Sequence, residues 1–316
     1  MAALVTLARG LQLEHPRVYG GTVDLDVLDD AGEPAWRPAT VSDVAYSVAV
    51  DADGRGSAAR LVPATTELVE ACSAEVAAPV ASLSMASAFG PTCCITGGTG
   101  GLGLAFARAV AASKSVKSLV LVSRSGRLDP TIMREMESHG CEVIVVTADV
   151  RDLDDMGGVV ALMEARGVQH DAPGSVIWAA GVTGQAPLAT MTDAECWEVL
   201  APKVAAAATT RGVSKGTNVV LFSSVSAAWG HAGAVHYAAA NAFLDALAVK
   251  RSAQGSSTLS VRFGPFSGSG MIGTEEERHL ERVGLGCLNP GSLLTVLHRL
   301  VAASTAGLSA VNGRAW

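Results

Sequence analysis

A serine, a tyrosine and an asparagine late in the chain have the types and spacing needed to protonate a carbonyl oxygen. Ser224 follows an apolar run, and Tyr237 and Asn241 lie four residues apart in an alanine-rich stretch. A ketone that receives a hydride becomes an alkoxide, and a tyrosine can protonate it if a neighbouring cation lowers the pKa of the phenol from about 10. A serine hydroxyl can hold the carbonyl oxygen in place. The alternative is structural, with Ser224 capping a helix and Tyr237 half-buried in the core.

The surrounding elements predict where these side chains lie. Residues 219–222 are apolar and rich in β-branched side chains, which indicates a buried strand, and residues 237–247 are strong helix formers. Ser224 then lies at the carboxyl end of a strand, where open α/β sheets bind ligands. Tyr237 and Asn241 share one helix face because side chains four residues apart are neighbours on a helix.

This stretch resembles the ketoreductase domain of modular polyketide synthases, a branch of the short-chain dehydrogenase/reductase superfamily. The matching text is LFSS at 221–224, YAAANAFLDAL at 237–247, and the step of 13 residues between Ser224 and Tyr237. Most of the superfamily has lysine where this chain has Asn241, and the polyketide and animal fatty acid synthase ketoreductases carry their lysine earlier. Residues 202–208 match that earlier motif, so the resemblance implies that Lys203 is the site lysine. Its charge would lower the pKa of Tyr237, and Asn241 would orient water or Lys203 in a proton relay.

A glycine-rich loop between a strand and a helix predicts a nicotinamide dinucleotide site. The sequence TGGTGGLG at 96–103 follows the strand candidate 93–96 and precedes a helical stretch. Glycines let the backbone approach a pyrophosphate closely, and the helix amino terminus offers N–H groups and a positive dipole end to the anion. The alternative is a glycine-rich turn without a ligand. The predicted cofactor contacts here are Gly97, Thr99, Gly100, Gly101, Leu102 and Gly103.

The exit of the next strand, 118–122, favours NADPH over NADH. Folds that prefer NAD place an acidic residue at this exit to bind the ribose hydroxyls, whereas this chain has Ser123, Arg124 and Ser125. A cation flanked by hydroxyls suits a 2′-phosphate. The alternative is that Arg124 is a solvated charge at a strand end.

The resemblance implies further cofactor contacts along the chain. Asp149 and Val150 match a pair that lies along the adenine, and residues 179–181 match a segment beside the nicotinamide ribose, in a family that commonly has His where Trp178 stands. The remaining implied contacts are Ala179, Ala180, Gly181, Ser223, Gly264 and Pro265.

Composition excludes several other classes of protein. A net charge of −7 argues against nucleic-acid binding, and no apolar run reaches the 18 residues that a membrane span needs. The six cysteines have no zinc-ligand spacing, which predicts no metal site, reduced core cysteines and a cytoplasmic compartment. Cys93 and Cys94 should point to opposite faces of their strand.

The predicted fold is α/β, a doubly wound, Rossmann-like parallel sheet flanked by helices. Residues 87–316 would form the catalytic domain, and residues 1–86 a partial structural subdomain with a linker, including a hairpin between 44–50 and 58–62. Asp154 and Asp155 should start a helix. Residues 268–270 would be the hinge of a lid, and residues 274–283 a charged helix.

The implied function is NADPH-dependent reduction of a β-ketoacyl thioester carried on an acyl carrier protein, beside neighbouring synthase domains. The substrate side would include Trp229, Phe266 and Met271. In the family, a Trp eight residues before the tyrosine accompanies the A-type product, the L-configured alcohol, and Trp229 has that position. Two alternatives are a free-standing reductase of small ketones and a redox-silent structural domain that binds the cofactor.

Overall fold

A computed structural model describes the central part of the chain together with three short strands near the amino terminus. The described residues are 22–25, 47–50, 56–58, 89–167, 174–213, 216–266, 275, 277–278 and 287.

Six parallel strands form the main sheet, in the spatial order β6-β5-β4-β7-β8-β9. The strands are β4 (Thr92–Thr96), β5 (Ser118–Ser123), β6 (Glu142–Thr147), β7 (Ser175–Trp178), β8 (Asn218–Ser224) and β9 (Thr258–Phe263). β4, β7 and most of β8 are buried, as expected for sheets covered on both faces. The predicted doubly wound parallel sheet is confirmed.

Helices connect the strands and cover both faces of the sheet. They are α1 (Gly101–Ala112), α2 (Pro130–Glu137), α3 (Leu153–Ala165), α4 (Asp193–Gly212), α5 (Ser226–Trp229) and α6 (Val235–Ala253). Asp152 caps α3, with Asp154 and Asp155 in its first turn as predicted. Thr192 and Glu195 form a reciprocal capping box at the start of α4.

The two sheet faces carry separate apolar clusters. Cys93 lies in one cluster and Cys94 in the other, which confirms the predicted opposite orientations. On the first face, the Phe106, Phe222 and Phe263 rings pack edge-on or tilted, with centroids 4.8 to 6.2 Å apart. The second face packs Trp178 against α3, α4 and α6.

The chain reverses its direction of travel across the sheet beside β4. β5 and β6 extend the sheet on one side of β4, and β7 then pairs with β4 on the other side. The loops after β4 and β7 meet at this point, where the Ala180 N–H donates to Thr96 Oγ1 at 3.1 Å. Ligands of open α/β sheets bind in the crevice at such a switch point.

The three amino-terminal strands form a sheet of their own. β1 (Thr22–Leu25) pairs in parallel with β2 (Ser47–Val50), and β2 pairs antiparallel with β3 (Gly56–Ala58). The predicted hairpin is therefore confirmed, with its second strand starting earlier than expected. The proposed boundary between residues 86 and 87 stays a prediction.

Three local features differ from the sequence prediction. α6 begins two residues before Tyr237, with Val235 and His236, and runs to Ala253, since residues 248–253 include strong helix formers such as Ala248, Lys250 and Arg251. The segment after β8 contains the short helix α5 instead of only a loop. β7 ends at Trp178, so residues 179–181 belong to the following loop.

Other predictions fall partly or wholly outside the described residues. The backbone is helical at Glu275, Glu277 and Arg278, in agreement with the predicted charged helix. The linker before residue 87, the hinge at 268–270 and Met271 lie outside the described part. Among the helices that the structure describes, none is both long and apolar enough to cross a membrane.

Candidate functional site

The glycine loop after β4 is folded against the loop after β7. Gly97 has φ of +70°, and a Cβ there would lie 3.1 Å from Ala180 Cα. A Cβ on Gly103 would lie 2.3 Å from the Gly97 carbonyl oxygen. Both positions therefore need glycine, one for its left-handed backbone and one for close approach.

The outer side of this loop is open and suits an anion. Gly100 is exposed, has extended backbone, and a Cβ there would meet no atom within 4 Å. α1 begins directly after Gly100, with no side-chain cap and no acidic residue in its first turn. The amino terminus of α1 can thus offer N–H groups to a pyrophosphate. Thr99 and Leu102 are partly buried beside it.

The β5 exit presents a cation to solvent. Arg124 is exposed, while the Ser123 and Ser125 hydroxyl oxygens accept the N–H groups of Gly126 and Arg127 at 3.2 and 3.3 Å. Binding a phosphate with the serine oxygens would require their hydroxyl hydrogens, which these bonds leave available.

Asp149 lies near this exit. A hydrogen bond from Arg151 is the main cause that lowers the pKa of Asp149, and the charge of Arg124 contributes in the same direction. Val150 is buried in the second apolar cluster, so its side chain packs inside the protein.

β8 and α6 bring the candidate catalytic side chains together. Ser224 is the last residue of β8, and Tyr237 is the third residue of α6. The Ser223 hydroxyl donates to the Asn241 carbonyl at 3.2 Å, which ties the end of β8 to α6. The Asn241 amide donates to the Tyr237 carbonyl at 2.8 Å.

Lys203 reaches the same place from α4. It is 4 % exposed, and its Nζ donates to the Phe222 carbonyl at 3.0 Å and lies 6.0 Å from the centre of the Tyr237 ring. Gly181 allows this arrangement, since a Cβ there would lie 3.2 Å from Lys203 Cε. Burial lowers the pKa of Lys203 to about 8, and the Asp245 carboxylate opposes that shift.

The pKa of Tyr237 differs from the sequence expectation. Burial raises it, while the Asn241 and Ser224 side chains act in the opposite direction without cancelling the effect of burial. The pKa of Tyr237 is thus raised rather than lowered, and the predicted effect of Lys203 is not among the causes. The physical reason is desolvation, which disfavours the phenolate.

Ser224 accepts two hydrogen bonds from Ser226. Its Oγ accepts the Ser226 N–H at 3.2 Å and the Ser226 hydroxyl at 3.0 Å, next to the start of α5. Because Ser224 accepts in both bonds, its own hydroxyl hydrogen stays available to Tyr237 or to a substrate oxygen.

Asn241 carries a buried acceptor without a described donor. It is fully buried, and its Oδ1 has no hydrogen-bond partner among the described residues. A buried amide oxygen normally has a partner, so a water or another donor would be favourable there.

The substrate-side predictions are described only in part. Gly264 and Pro265 follow β9 and are partly buried. Phe266 is 6 % exposed and packs on Phe263 with ring centroids 5.5 Å apart. Trp229 ends α5, and its side chain lies outside the described part of the structure, as does Met271.

Sequence reasoning missed two groups at this site. The Phe222 carbonyl that holds Lys203 is a backbone group, and no side-chain pattern signals it. Asp245, which accepts from Ser260 Oγ at 2.6 Å and Arg262 Nε at 2.7 Å, lies four residues after Asn241. That helical spacing could have identified it.

Comparison with known proteins agrees with this arrangement. A family model for the KR domain matches residues 91–268, which include the glycine loop, Lys203, Ser224 and Tyr237. The chain belongs to the ketoreductase domain family of modular polyketide synthases. It is therefore an oxidoreductase domain of the short-chain dehydrogenase/reductase type, in a family of ketoreductase domains that depend on nicotinamide cofactors and reduce β-keto groups.

Related synthases are much longer than this ketoreductase chain. Polyketide synthase GfsA of Streptomyces halstedii is 36% identical over 296 residues, which cover 93% of this chain and 4% of the synthase. Erythronolide synthase EryA3 of Saccharopolyspora erythraea is 33% identical over 298 residues, which cover 92% of this chain and 9% of the synthase.

Solved ketoreductases have the same fold. The ketoreductase from the first module of phoslactomycin biosynthesis in Streptomyces sp. HK803 is 32% identical, with a TM-score of 0.76 over 95% of this chain and 67% of that chain. An A-type ketoreductase from a modular polyketide synthase is 28% identical, with a TM-score of 0.73 over 96% of this chain and 62% of that chain.

Proposed function

We propose that this ketoreductase domain uses NADPH to reduce the β-keto group of an acyl thioester carried on an acyl carrier protein. The observation that carries the proposal is the convergence of Lys203, Ser224 and Tyr237 beside the loops after β4 and β7. In particular, the Lys203 ammonium donates to the Phe222 carbonyl 3.0 Å away and lies against the Tyr237 ring.

The glycine loop and the β5 exit would hold the cofactor. The open side of Gly100 and the uncapped start of α1 fit a pyrophosphate, and the exposed Arg124 fits the 2′-phosphate that distinguishes NADPH from NADH. Asp149, Ala179, Gly181, Ser223 and Gly264 would line the rest of the site. When bound, the nicotinamide supplies the hydride.

Tyr237 would supply the proton. Its raised pKa keeps the phenol protonated at neutral pH, so the proton is present when the substrate oxygen becomes an alkoxide. The Ser224 hydroxyl would donate to that oxygen and orient it. Such positioned donors stabilise developing negative charge.

Lys203 and Asn241 would return a proton to Tyr237 after it has protonated the substrate oxygen. A lysine with a pKa of about 8 is mostly charged at pH 7 and can give up its proton more readily than an ordinary lysine. The unpartnered Asn241 Oδ1 would hold a water in the relay.

The length of the relatives supports the proposal of a carrier-bound substrate. The chain spans only 4 to 9% of the length of two related synthases, so neighbouring synthase domains and a carrier protein are the proposed partners. We infer an A-type, L-configured product from Trp229, eight residues before Tyr237.

Consumption of NADPH with a β-ketoacyl thioester tests the proposal. The substrate is offered on an acyl carrier protein, as an N-acetylcysteamine thioester, and as a simple cyclic ketone. We expect turnover with both thioesters and a higher kcat/KM for the carrier-bound one. Efficient turnover of the simple ketone alone would indicate a free-standing reductase, and cofactor binding without any turnover would indicate a redox-silent domain.

A further inference from the structure

Trp178 makes a buried hydrogen bond to the helix that carries Lys203. It is the last residue of β7 and is fully buried, and its indole Nε1–H donates to the Pro202 carbonyl at 2.9 Å. Pro202 is the residue directly before Lys203 in α4. The contact therefore links the sheet to the backbone of the helix beside the site lysine.

The helix needs an external contact at this position. A proline inside a helix has no N–H to give to the carbonyl four residues earlier, and its ring pushes that carbonyl away. In α4 that carbonyl belongs to Glu198, so the turn before Lys203 is less well held by the helix itself. The bond from Trp178 goes to the Pro202 carbonyl and not to that of Glu198, so it does not replace the missing bond but ties the proline itself to β7.

The ammonium end of the Lys203 side chain is held by other elements than its backbone. Its Nζ donates to the Phe222 carbonyl on β8 at 3.0 Å, and its Cε lies close to Gly181 in the loop after β7. The backbone is thus tied to β7 and the ammonium to β8. Displacement of the backbone by even part of a turn would break this second contact, since the bond to Phe222 depends on the reach of the side chain.

We propose that Trp178 is a positioning residue, whose indole N–H holds the Pro202–Lys203 segment so that the ammonium stays between the Phe222 carbonyl and Tyr237. This inference rests on the proposed function, because it assumes that Lys203 serves Tyr237 in the reduction. A purely structural role would use only the apolar ring, in the cluster that Trp178 shares with Ala206 and Leu244.

Two substitutions of Trp178 distinguish the contribution of the aromatic ring from that of the indole N–H. Trp178→Phe keeps an aromatic ring and removes the donor. Trp178→His keeps a ring N–H, because imidazole Nε2 corresponds to indole Nε1 in the five-membered ring, and removes the larger apolar part. Val120→Ala is the matched control: Val120 is fully buried in the same apolar cluster, on β5, and is not among the site residues.

The ionisation of Lys203 is the readout that does not depend on turnover. The chain has five lysines, so ¹³Cε-lysine NMR of the cofactor-free protein can follow each one, with Lys203→Met identifying the signal. The titratable groups that face Lys203 are Tyr237 and Asp245 on α6, the latter paired with Arg262 on β9. Lys203 in the unchanged protein is expected to titrate near pH 8.

Loss of the indole N–H should let Lys203 relax toward solvent. We expect Trp178→Phe to raise the midpoint of the Lys203 titration by about one pH unit, since relief of desolvation moves a lysine toward its ordinary pKa of about 10.4. Reduction should fall about tenfold in kcat, with the KM for NADPH changed less than twofold. Trp178→His should keep the titration and most of kcat, even if it lowers Tm more than Trp178→Phe.

The outcome decides between positioning and packing. An unchanged Lys203 titration in Trp178→Phe would overturn the inference, as would an equal shift in Val120→Ala or a larger shift in Trp178→His than in Trp178→Phe. If the unchanged protein does not reduce β-ketoacyl thioesters, the proposed function fails, and the NMR titration still judges whether Trp178 positions Lys203.

Discussion

At the scale of single residues, Tyr237 as the proposed proton donor would have to keep its proton until the substrate oxygen can accept it. Its raised pKa serves this purpose, because the phenol stays neutral over the physiological pH range. Tyr237→Phe should leave NADPH binding intact and lower kcat by about 10²–10⁴-fold, the usual contribution of a positioned general acid. Fluorescence titration of NADPH and single-turnover kinetics measure the two effects separately.

The rate of the Ser224→Ala variant is compared with that of Tyr237→Phe in the same measurements. This substitution of Ser224 removes one donor to the substrate oxygen and should cost about 10²–10³ in rate. Since Ser224 also accepts the Ser226 N–H at the start of α5, a small fall in Tm should accompany it. Turnover of Tyr237→Phe at close to the unchanged rate would contradict the proton-donor assignment.

Arg124 should determine which dinucleotide the domain uses. Arg124→Asp removes the cation for the 2′-phosphate and offers a carboxylate to the ribose hydroxyls. We expect the ratio of kcat/KM for NADPH to that for NADH to reverse. Arg127→Ala is the matched control, since Arg127 is also exposed and only three residues away. An unchanged ratio in Arg124→Asp would mean that other residues hold the phosphate.

At the scale of elements, two glycines in the turn from β4 into α1 should have different effects when substituted. One should affect the stability of the fold, and the other should affect cofactor binding. Gly103→Ala places a Cβ 2.3 Å from the Gly97 oxygen, so the turn must shift and Tm should fall. Gly100→Ala meets no protein atom within 4 Å and has extended backbone, so Tm should stay unchanged. We expect Gly100→Ala to weaken NADPH binding at least tenfold, because its methyl group enters the open cradle. Calorimetry of both variants, with and without NADPH, measures the difference.

The contact between α6 and β9 should set the pH dependence of the reaction. In the proposed proton relay, reduction needs a protonated Lys203, so kcat should fall as the pH rises through about 8, where the ammonium loses its proton. The Asp245 carboxylate raises the pKa of Lys203, so Asp245→Asn should move this fall to lower pH. Glu135→Gln, a change in an exposed carboxylate that pairs with Arg108, is the control. A fall that moves to higher pH in Asp245→Asn would contradict the assignment.

At the scale of the whole molecule, the side from which the carrier-bound substrate enters should determine the configuration of the product. Trp229 ends α5 immediately before the loop into α6, on the carboxyl side of β8. Solved relatives with a TM-score of 0.73 include both an A-type and a C2-type ketoreductase, so the overall fold does not distinguish the product types. Residue 229 is therefore the position to test.

We expect the L-configured β-hydroxy product from a carrier-bound β-ketoacyl substrate. A bulky indole at position 229 would block one path of the pantetheine arm and present one ketone face to the hydride. Trp229→Ala should lower the stereochemical excess, and chiral chromatography of the released acid measures it. A predominantly D-configured product from the unchanged protein would show that Trp229 does not determine the side of entry.

Sequence patterns are enough to predict the parallel sheet, the glycine loop and the residues that meet at the site. These features are local: strands of apolar residues, glycines that permit close approach, and Tyr237 and Asn241 at helical spacing. Lys203 was identified from a motif that matches a family, although nothing local distinguishes it from a solvated lysine. Its place at the site depends on the hydrogen bonds that link α4 to β7 and β8.

The electrostatics and the supporting contacts of the site depend on how the elements pack in three dimensions. Burial is a property of the packed molecule, so it was the structure that showed a raised pKa for Tyr237 and a pKa of about 8 for Lys203. The Phe222 carbonyl accepts a hydrogen bond from Lys203, and the Pro202 carbonyl accepts one from Trp178. In both cases the donor and the acceptor lie on different elements that are far apart in sequence. Backbone acceptors carry no signature in the residue type, so their partners depend on how the elements pack.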